Sequence, residues 1–197
     1  MTHIAIYTTN RIHKKELFEA IKSNRLLFEH TPLNGKIGAV FSTDTINKII
    51  EDEYKHDEYP IQTSENNSLE SMSSGQQKIA LAQYLFRQNP DYIILDDVHS
   101  SLDSYTLEYL VKEIYEHADV IQYIQICYRK EDVLPCVQTV LCIDENLRIT
   151  DVFSTEEFSL QSSVLSKQRF SAINARTAKN SFGYSYTYKT TVFIDIG

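Results

Sequence analysis

The sequence predicts an α/β fold whose central strands are buried on both faces. Short apolar segments at 4–7, 37–41, 92–95 and 120–127 are separated by stretches with helical spacing. The segment 92–95 is Tyr-Ile-Ile-Leu, bounded by Pro90-Asp91 and Asp96-Asp97, as a strand covered on both faces should be. The two carboxylates that follow it stand beyond the C-terminal end of that strand, where open α/β sheets place their ligands.

Composition narrows the functional classes. At 197 residues, 42% apolar and 23% charged, the chain has the balance of a globular protein and the length to bury a core. A net charge of −8 argues against a broad phosphate-backbone footprint, so nucleic acid is not an expected partner. No apolar run reaches the roughly 20 residues of a membrane helix, and Met1-Thr2-His3 is not expected to open a secretory signal. The expected location is cytoplasmic, with peripheral placement at the inner face of a membrane as an option. Cys127, Cys136 and Cys142 lie in or beside apolar segments, which reads as buried reduced thiols rather than a metal site.

In chain order, the strand 4–7 runs into the polar loop Thr8-Thr9-Asn10-Arg11-Ile12-His13. A helix is expected over 14–28, with Leu17, Ile21, Leu26 and Leu27 in helical spacing. Strand, loop, helix is the layout in which backbone N–H groups at a helix start cradle phosphate. It also serves as an ordinary turn with no ligand. A turn at 32–38 leads into a strand over 37–41 and a helix over 43–54, and 56–70 is polar with no apolar period. A polar turn with a glycine at Gly75 precedes a helix over 76–87, whose apolar side is Ile79, Leu81, Ala82, Leu85 and Phe86. Asn89-Pro90 breaks it before the strand 92–95. The next helix, 104–117, carries Leu107, Leu110, Val111, Ile114 and Tyr115 on one side, and a strand over 120–127 follows. Segments 140–143 and 148–152 form a hairpin around Asp144-Glu145-Asn146. The stretch 160–180 is rich in Ser and Gln and reads as a linker or exposed helix. Residues 182–188 alternate aromatic with small or polar residues, as a half-buried strand does.

Taken in sequence, Met72-Ser73-Ser74-Gly75-Gln76, Ile93-Ile94-Leu95-Asp96-Asp97 and Ser100-Ser101-Leu102-Asp103 resemble the signature (LSGGQ), Walker B and D-loop (SALD) motifs of ATP-binding-cassette (ABC) ATPases. The twenty-residue step from Gln76 to Asp96 fits that family's spacing. The ABC Walker A pattern GPNGSGKSTLLKAI lies over 8–21 without a gap. Asn10, Lys14, Leu17, Ala20 and Ile21 match, whereas Thr8, Arg11 and His13 replace glycines and Lys15-Glu16 replace Ser-Thr. Ser42 stands where the Q-loop Gln, a metal sensor, would be, and Tyr128 where the switch His would be. Tyr128-Arg129, Glu131-Asp132, Pro135-Cys136 and Val140-Leu141 echo the tandem cassettes of the molybdate-transport and photorepair group. The resemblance implies a three-layer, P-loop NTPase-like α/β fold with a mostly parallel central sheet, and reduced helical-subdomain and N-terminal antiparallel-sheet parts. It also implies ATP and Mg2+ as cofactors. Asn10, Lys14, Lys15, Ser73, Gly75, Gln76 and Asp103 would bind ATP, Asp96 and Ser42 the metal, and Asp97 and Tyr128 would act in catalysis.

The departures fall on one set of motifs. A phosphate loop needs positive φ and close approach, which residues with a Cβ meet at a cost of about 1–3 kcal/mol each. Loss of the Ser/Thr hydroxyl removes a magnesium ligand. Asp97 for Glu draws a general base back by roughly 1.5 Å, and a misplacement of that size can cost about 100-fold. A phenol at 128 lacks the charge change of an imidazole. In the family each ATP site joins one half's Walker A, Walker B and switch to the other half's signature and D-loop. The resemblance therefore implies a degenerate half, over 1–159, that completes an ATP site on a second cassette (in a homo- or heterodimer, or as a tandem neighbour), with hydrolysis linked to transport and membrane transport subunits as further partners. A non-catalytic scaffold and a weakly active soluble ATPase are the alternatives. Residues 160–181 are expected to link to 182–197, which reads as the start of a second cassette, a displaced strand completing the first, or a plain edge strand.

Overall fold

The computed structural model describes residues 1–9, 12–27, 29–56, 59–61, 68–160, 175–179 and 185–189. The chain divides into two compact units, 1–155 and 156–197. In the first, strands β1 (Ile4–Tyr7), β2 (Gly38–Phe41), β3 (Tyr92–Asp96), β4 (Gln122–Cys127), β5 (Thr139–Ile143) and β6 (Ile149–Ser154) form one sheet in the order β2-β3-β4-β1-β5-β6. The ladders β2–β3, β3–β4, β4–β1 and β1–β5 are parallel, and the hairpin β5–β6 is antiparallel. The α/β class with a mostly parallel sheet is therefore as the sequence predicts.

Helices α1 (Lys14–Lys22), α2 (Thr43–His56), α3 (Ser74–Arg87) and α4 (Ser104–Glu116) connect these strands. Leu17, Ala20 and Ile21 of α1 pack on Ile4, Ile6, Ile94, Ile124, Ile126 and Leu141, one face of the sheet. Strand alternation turns Ala5, Ile93, Leu95, Tyr123 and Val140 to the other face, and all five are buried as well. Covering both faces of a parallel sheet leaves no solvated side on which polar residues could alternate. Gln122 and Gln125 are nevertheless buried in β4, and each is satisfied by hydrogen bonds. The Gln122 amide donates to the Thr2 carbonyl and to Thr31 Oγ1, and that of Gln125 to the Asp132 carbonyl.

Several boundaries differ from the sequence-based expectation, each for a local reason. The helix expected over 14–28 stops at Lys22, because Asn24 turns left-handed at φ 56° and the Arg25 and Leu26 amides fold back onto the Ala20 carbonyl. Leu26 and Leu27 are buried from the following turn; Phe28 lies outside the described residues. The strand expected over 120–127 begins at Gln122, since the Val120 and Ile121 amides bond to the His117 carbonyl as the close of α4. In α3 the buried stripe is Lys78, Leu81, Ala82, Leu85 and Phe86; a lysine, not Ile79, heads it.

In the second unit, β7 (Ala175–Lys179) pairs antiparallel with β8 (Ser185–Lys189). A strand thus lies inside the stretch read as a linker or exposed helix. Residues 182–184 and 190–197, also read as strand, lie outside the described residues.

Candidate functional site

The strand order puts the C-terminal ends of β3, β4 and β1 side by side, and three of the candidate residues meet there. Lys14 opens α1 after β1, Asp96 ends β3, and Tyr128 follows β4. Lys14 Nζ lies 2.9 Å from Asp96 Oδ2 and 5.6 Å from the centre of the Tyr128 ring. Asp96 is only 3% exposed, and its Oδ1 has no hydrogen-bond partner among the described residues.

Burial pushes the Asp96 carboxyl above the ordinary aspartate range, and the Lys14 ammonium returns only part of that cost. Burial also opposes the Lys14 charge. Its hydrogen bond to Asp96 and the charges of Asp96, Tyr128 and Asp97 outweigh this and leave the lysine pKa raised. The Tyr128 phenol is raised, first by burial and then by Asp96. The edge therefore holds a charged lysine bonded to a poorly solvated carboxylate with one oxygen to spare.

The start of α1 has no side-chain cap among the described residues. His13 occupies the N-cap position and its side chain makes no cap hydrogen bond. The Thr8 amide donates to the Cys127 carbonyl at 3.1 Å, while its buried Oγ1 has no partner among the described residues. Asn10 lies outside the described residues. Lys15 lines a shallow hollow of about 540 Å³ with Glu16, Glu19, Arg25 and Leu147. Ser42, after β2, caps α2: its Oγ accepts from the Thr45 amide at 3.1 Å and shares a 2.9 Å hydrogen bond with Thr45 Oγ1.

Asp97 adopts φ 59°, and its Oδ2 accepts from Ser100 Oγ at 2.5 Å. This ties the carboxylate to its own turn. His99, half-buried in the same turn, has its pKa lowered, chiefly by burial and against the pull of Asp132.

The remaining candidates form a second group at the starts of α3 and α4. Ser73 Oγ accepts from the Gln76 amide at 3.3 Å, and Gln76 Oε1 accepts from the Ser73 amide at 3.0 Å, a capping box. Asp103 caps α4, taking the Thr106 amide at 2.9 Å and the Thr106 hydroxyl at 2.7 Å, and these bonds hold its pKa low. Gly75 lies against Thr106, where an added Cβ would stand 3.0 Å from the Thr106 methyl. Ser74 Oγ donates to the Ser101 carbonyl at 3.3 Å. Ser73, Gln76 and Asp103 are all exposed.

Sequence reasoning missed Lys78 and Ser100. Lys78 is buried and donates to the carbonyls of Asp97 and Ser100. Its signal was present: positions 78, 81, 82 and 85 share one helical face, so a lysine there interrupts an apolar stripe.

No protein-family model matches the sequence, and no curated protein matches it. Solved structures do. CbiO1 from Clostridium perfringens, part of the ABC transporter complex CbiONQ, matches over 87% of this chain and 84% of its own, at 16% identity and a TM-score of 0.54. An ATP-binding subunit of an ABC transporter matches over 86% and 87%, at 12% identity and a TM-score of 0.57. MJ1267, an ATP-binding cassette of an ABC transporter in its ADP conformation, matches over 80% and 82%, at 13% identity and a TM-score of 0.53. At these identities the likeness is one of fold. The chain has the P-loop NTPase-like fold of ABC ATP-binding cassettes.

Proposed function

We propose that this chain is a degenerate ATP-binding-cassette half that lends its signature turn and D-loop to a nucleotide site on a second cassette, in a transport system. The observation that carries this reading is the contrast between the two groups of residues. At the C-terminal strand edge, Lys14 is closed onto Asp96 and Asp97 is tied to Ser100. At the starts of α3 and α4, Ser73, Gln76 and Asp103 are exposed and held in capped, preset turns. The motifs of this chain's own site are thus the substituted ones, whereas Ser73, Gln76 and Asp103 stay exposed.

The residues present fit Mg-ATP in part. Among the described residues no cluster of His, Cys, Asp and Glu could hold a metal by itself. Magnesium bound with phosphates needs only one or two protein carboxylates, and Asp96 Oδ1 is a buried acceptor without a partner. Asp96 would hold the ion and Lys14 the phosphates, supplying charge neutralisation of a transferring phosphoryl group. Before it can meet phosphate, Lys14 must part from Asp96, so nucleotide in this half is held weakly. Asp97 and Tyr128 flank that site, one anchored by a serine and the other unable to supply an imidazole. On the shared face, amide groups at the start of α3 and the Ser73 hydroxyl would meet the partner's phosphates, where the helix dipole favours anions.

A non-catalytic scaffold is the second reading, favoured by the capping bonds that occupy Ser73 Oγ and both Asp103 oxygens. No helix among the described residues is long and apolar enough to cross a membrane, which fits a chain placed in the cytoplasm beside separate membrane subunits.

Titration calorimetry with Mg-ATP separates the readings. The chain alone is expected to bind weakly, and a mixture with a partner cassette that has an intact Walker A to bind tightly, with that gain lost in Ser73→Arg. Turnover by the isolated chain that disappears in Lys14→Ala would refute the degenerate-half reading. A gain indifferent to Ser73→Arg would favour the scaffold.

A further inference from the structure

The two turns of the shared face are joined by one buried ammonium. Lys78, on the inner side of α3, is 4% exposed. Its Nζ donates to the Asp97 carbonyl at 2.8 Å, the Ser100 carbonyl at 2.7 Å and Ser100 Oγ at 3.1 Å. An ammonium has three protons, and all three find acceptors in the turn 97–100. Ser100 Oγ in turn donates a hydrogen bond to Asp97 Oδ2. Nearby, Ser74 Oγ reaches the Ser101 carbonyl, and Gly75 approaches Thr106 and Leu102. The α3 N-terminus and the 97–103 turn are therefore joined by a cation, a hydroxyl and a close packing contact.

Packing alone does not account for a lysine at this place. The rest of the stripe is Leu81, Ala82, Leu85 and Phe86, and an apolar side chain at 78 would fill the space without desolvating a charge. Burial lowers the Lys78 pKa, and the charges of Asp97 and Asp96 act against that shift. What the charge adds is a fixed register between α3 and backbone carbonyls that have no helix or strand to bond them.

We propose that Lys78 is a positioning residue whose ammonium fixes the 97–103 turn against the start of α3, so that Ser73 and Asp103 reach a partner as one preset surface. This role rests on the proposed use of that face by a partner's nucleotide, whereas the coupling itself belongs to the isolated chain.

Amide hydrogen exchange of the full chain, read by mass spectrometry, tests the coupling. Lys78→Met keeps the length of the stem and removes the charge. Exchange at 98–104 is expected to rise on the order of ten-fold or more in this variant, with strand 122–127 unchanged. Lys78→Arg, a cation with more donors, is expected to restore most of the protection. Unchanged exchange at 98–104, or an equal rise in strand 122–127, overturns the proposal. If Lys78→Met fails to fold, Ser100→Ala, which removes one acceptor of the ammonium, is read the same way.

A second arm measures Mg-ATP-dependent binding to a partner cassette with an intact Walker A. Ser73→Arg is expected to abolish it, and Lys78→Met to weaken it by about ten-fold, with Lys78→Arg close to wild type. No effect of Ser73→Arg refutes the reading of the face and leaves the exchange result standing. Loss in Ser73→Arg with full affinity in Lys78→Met refutes the role of Lys78 and leaves the reading of the face intact.

Discussion

Two buried carboxylates, Asp96 and Glu53, show how differently one functional group behaves at two places in this chain. Each has one oxygen with a partner and one without. Asp96 faces a lysine; Glu53, on α2 and 5% exposed, accepts from the Leu69 amide at 3.2 Å. The Leu69 carbonyl in turn accepts from Gln77 of α3, so Glu53 helps to set the segment that enters the signature turn. Burial lifts the Glu53 pKa above 4.5, the Leu69 N–H opposes the shift and the Glu70 charge adds to it. A carboxyl with a raised folded-state pKa binds its proton more tightly in the folded chain. Its stabilising contribution is full below 4.5 and is lost as pH rises through the raised value. Glu53→Gln keeps a carbonyl for the Leu69 amide and carries no charge. Its melting temperature is expected to match wild type at about pH 4.5 and to exceed it at neutral pH. Equal melting temperatures at both pH values would show that Glu53 pays no burial cost.

At the scale of elements, the edge pair β2–β3 rests on a glycine and a tyrosine. Gly38 and Tyr92 are partners in register, and an ideal Cβ on Gly38 would stand 2.0 Å from Tyr92 Cζ and 2.3 Å from its hydroxyl. The tyrosine ring lies across the bare glycine backbone, the way an aromatic side chain covers a strand glycine. Gly38→Ala is expected to cost about 1–3 kcal/mol in urea unfolding, the usual range for overpacking. With Tyr92→Leu already in place the same change should cost much less, and strict additivity of the two would sink this account.

The elements themselves were legible in the sequence because their signals are local. Apolar strands and the Asn89-Pro90 break act within a few residues of themselves. What was not legible depends on long-range partners. The sequence does not show that Asn24 would end α1 left-handed, with its Oδ1 taking the Leu33 amide at 3.2 Å. Nor does it show that Lys78 would be buried against the carbonyls 19 and 22 positions along the chain. The candidate site divided in the same way. Lys14 and Asp96, known from motif spacing, do meet. Their direct bond, and the bond from Ser100 that holds Asp97, depend on side-chain rotamers that no spacing rule reaches.

For the whole molecule, the division into 1–155 and 156–197 bears on what the C-terminal stretch is for. Residues 1–155 contain all six strands of the main sheet, the four helices and the core cluster on Ile4, Leu17, Ile94 and Ile124. A chain of that length buries enough surface to fold without help. Strands β7 and β8 pair with each other, and a two-stranded hairpin alone in water is marginal at best. If the tail served to complete the first unit, its removal would expose sheet edge or core and lower stability. If it belongs to a second cassette or is a separate edge strand, the first unit should not depend on it. A chain ending at Leu160 is therefore expected to unfold cooperatively within about 3 °C of the full chain, since roughly 1 kcal/mol corresponds to 2–4 °C at this size. The same shortened chain should keep the Ser73-dependent gain in Mg-ATP binding with its partner. A fall of more than about 5 °C would assign the tail to the first unit, as a loss of more than roughly 1–2 kcal/mol cannot come from cutting an independent segment.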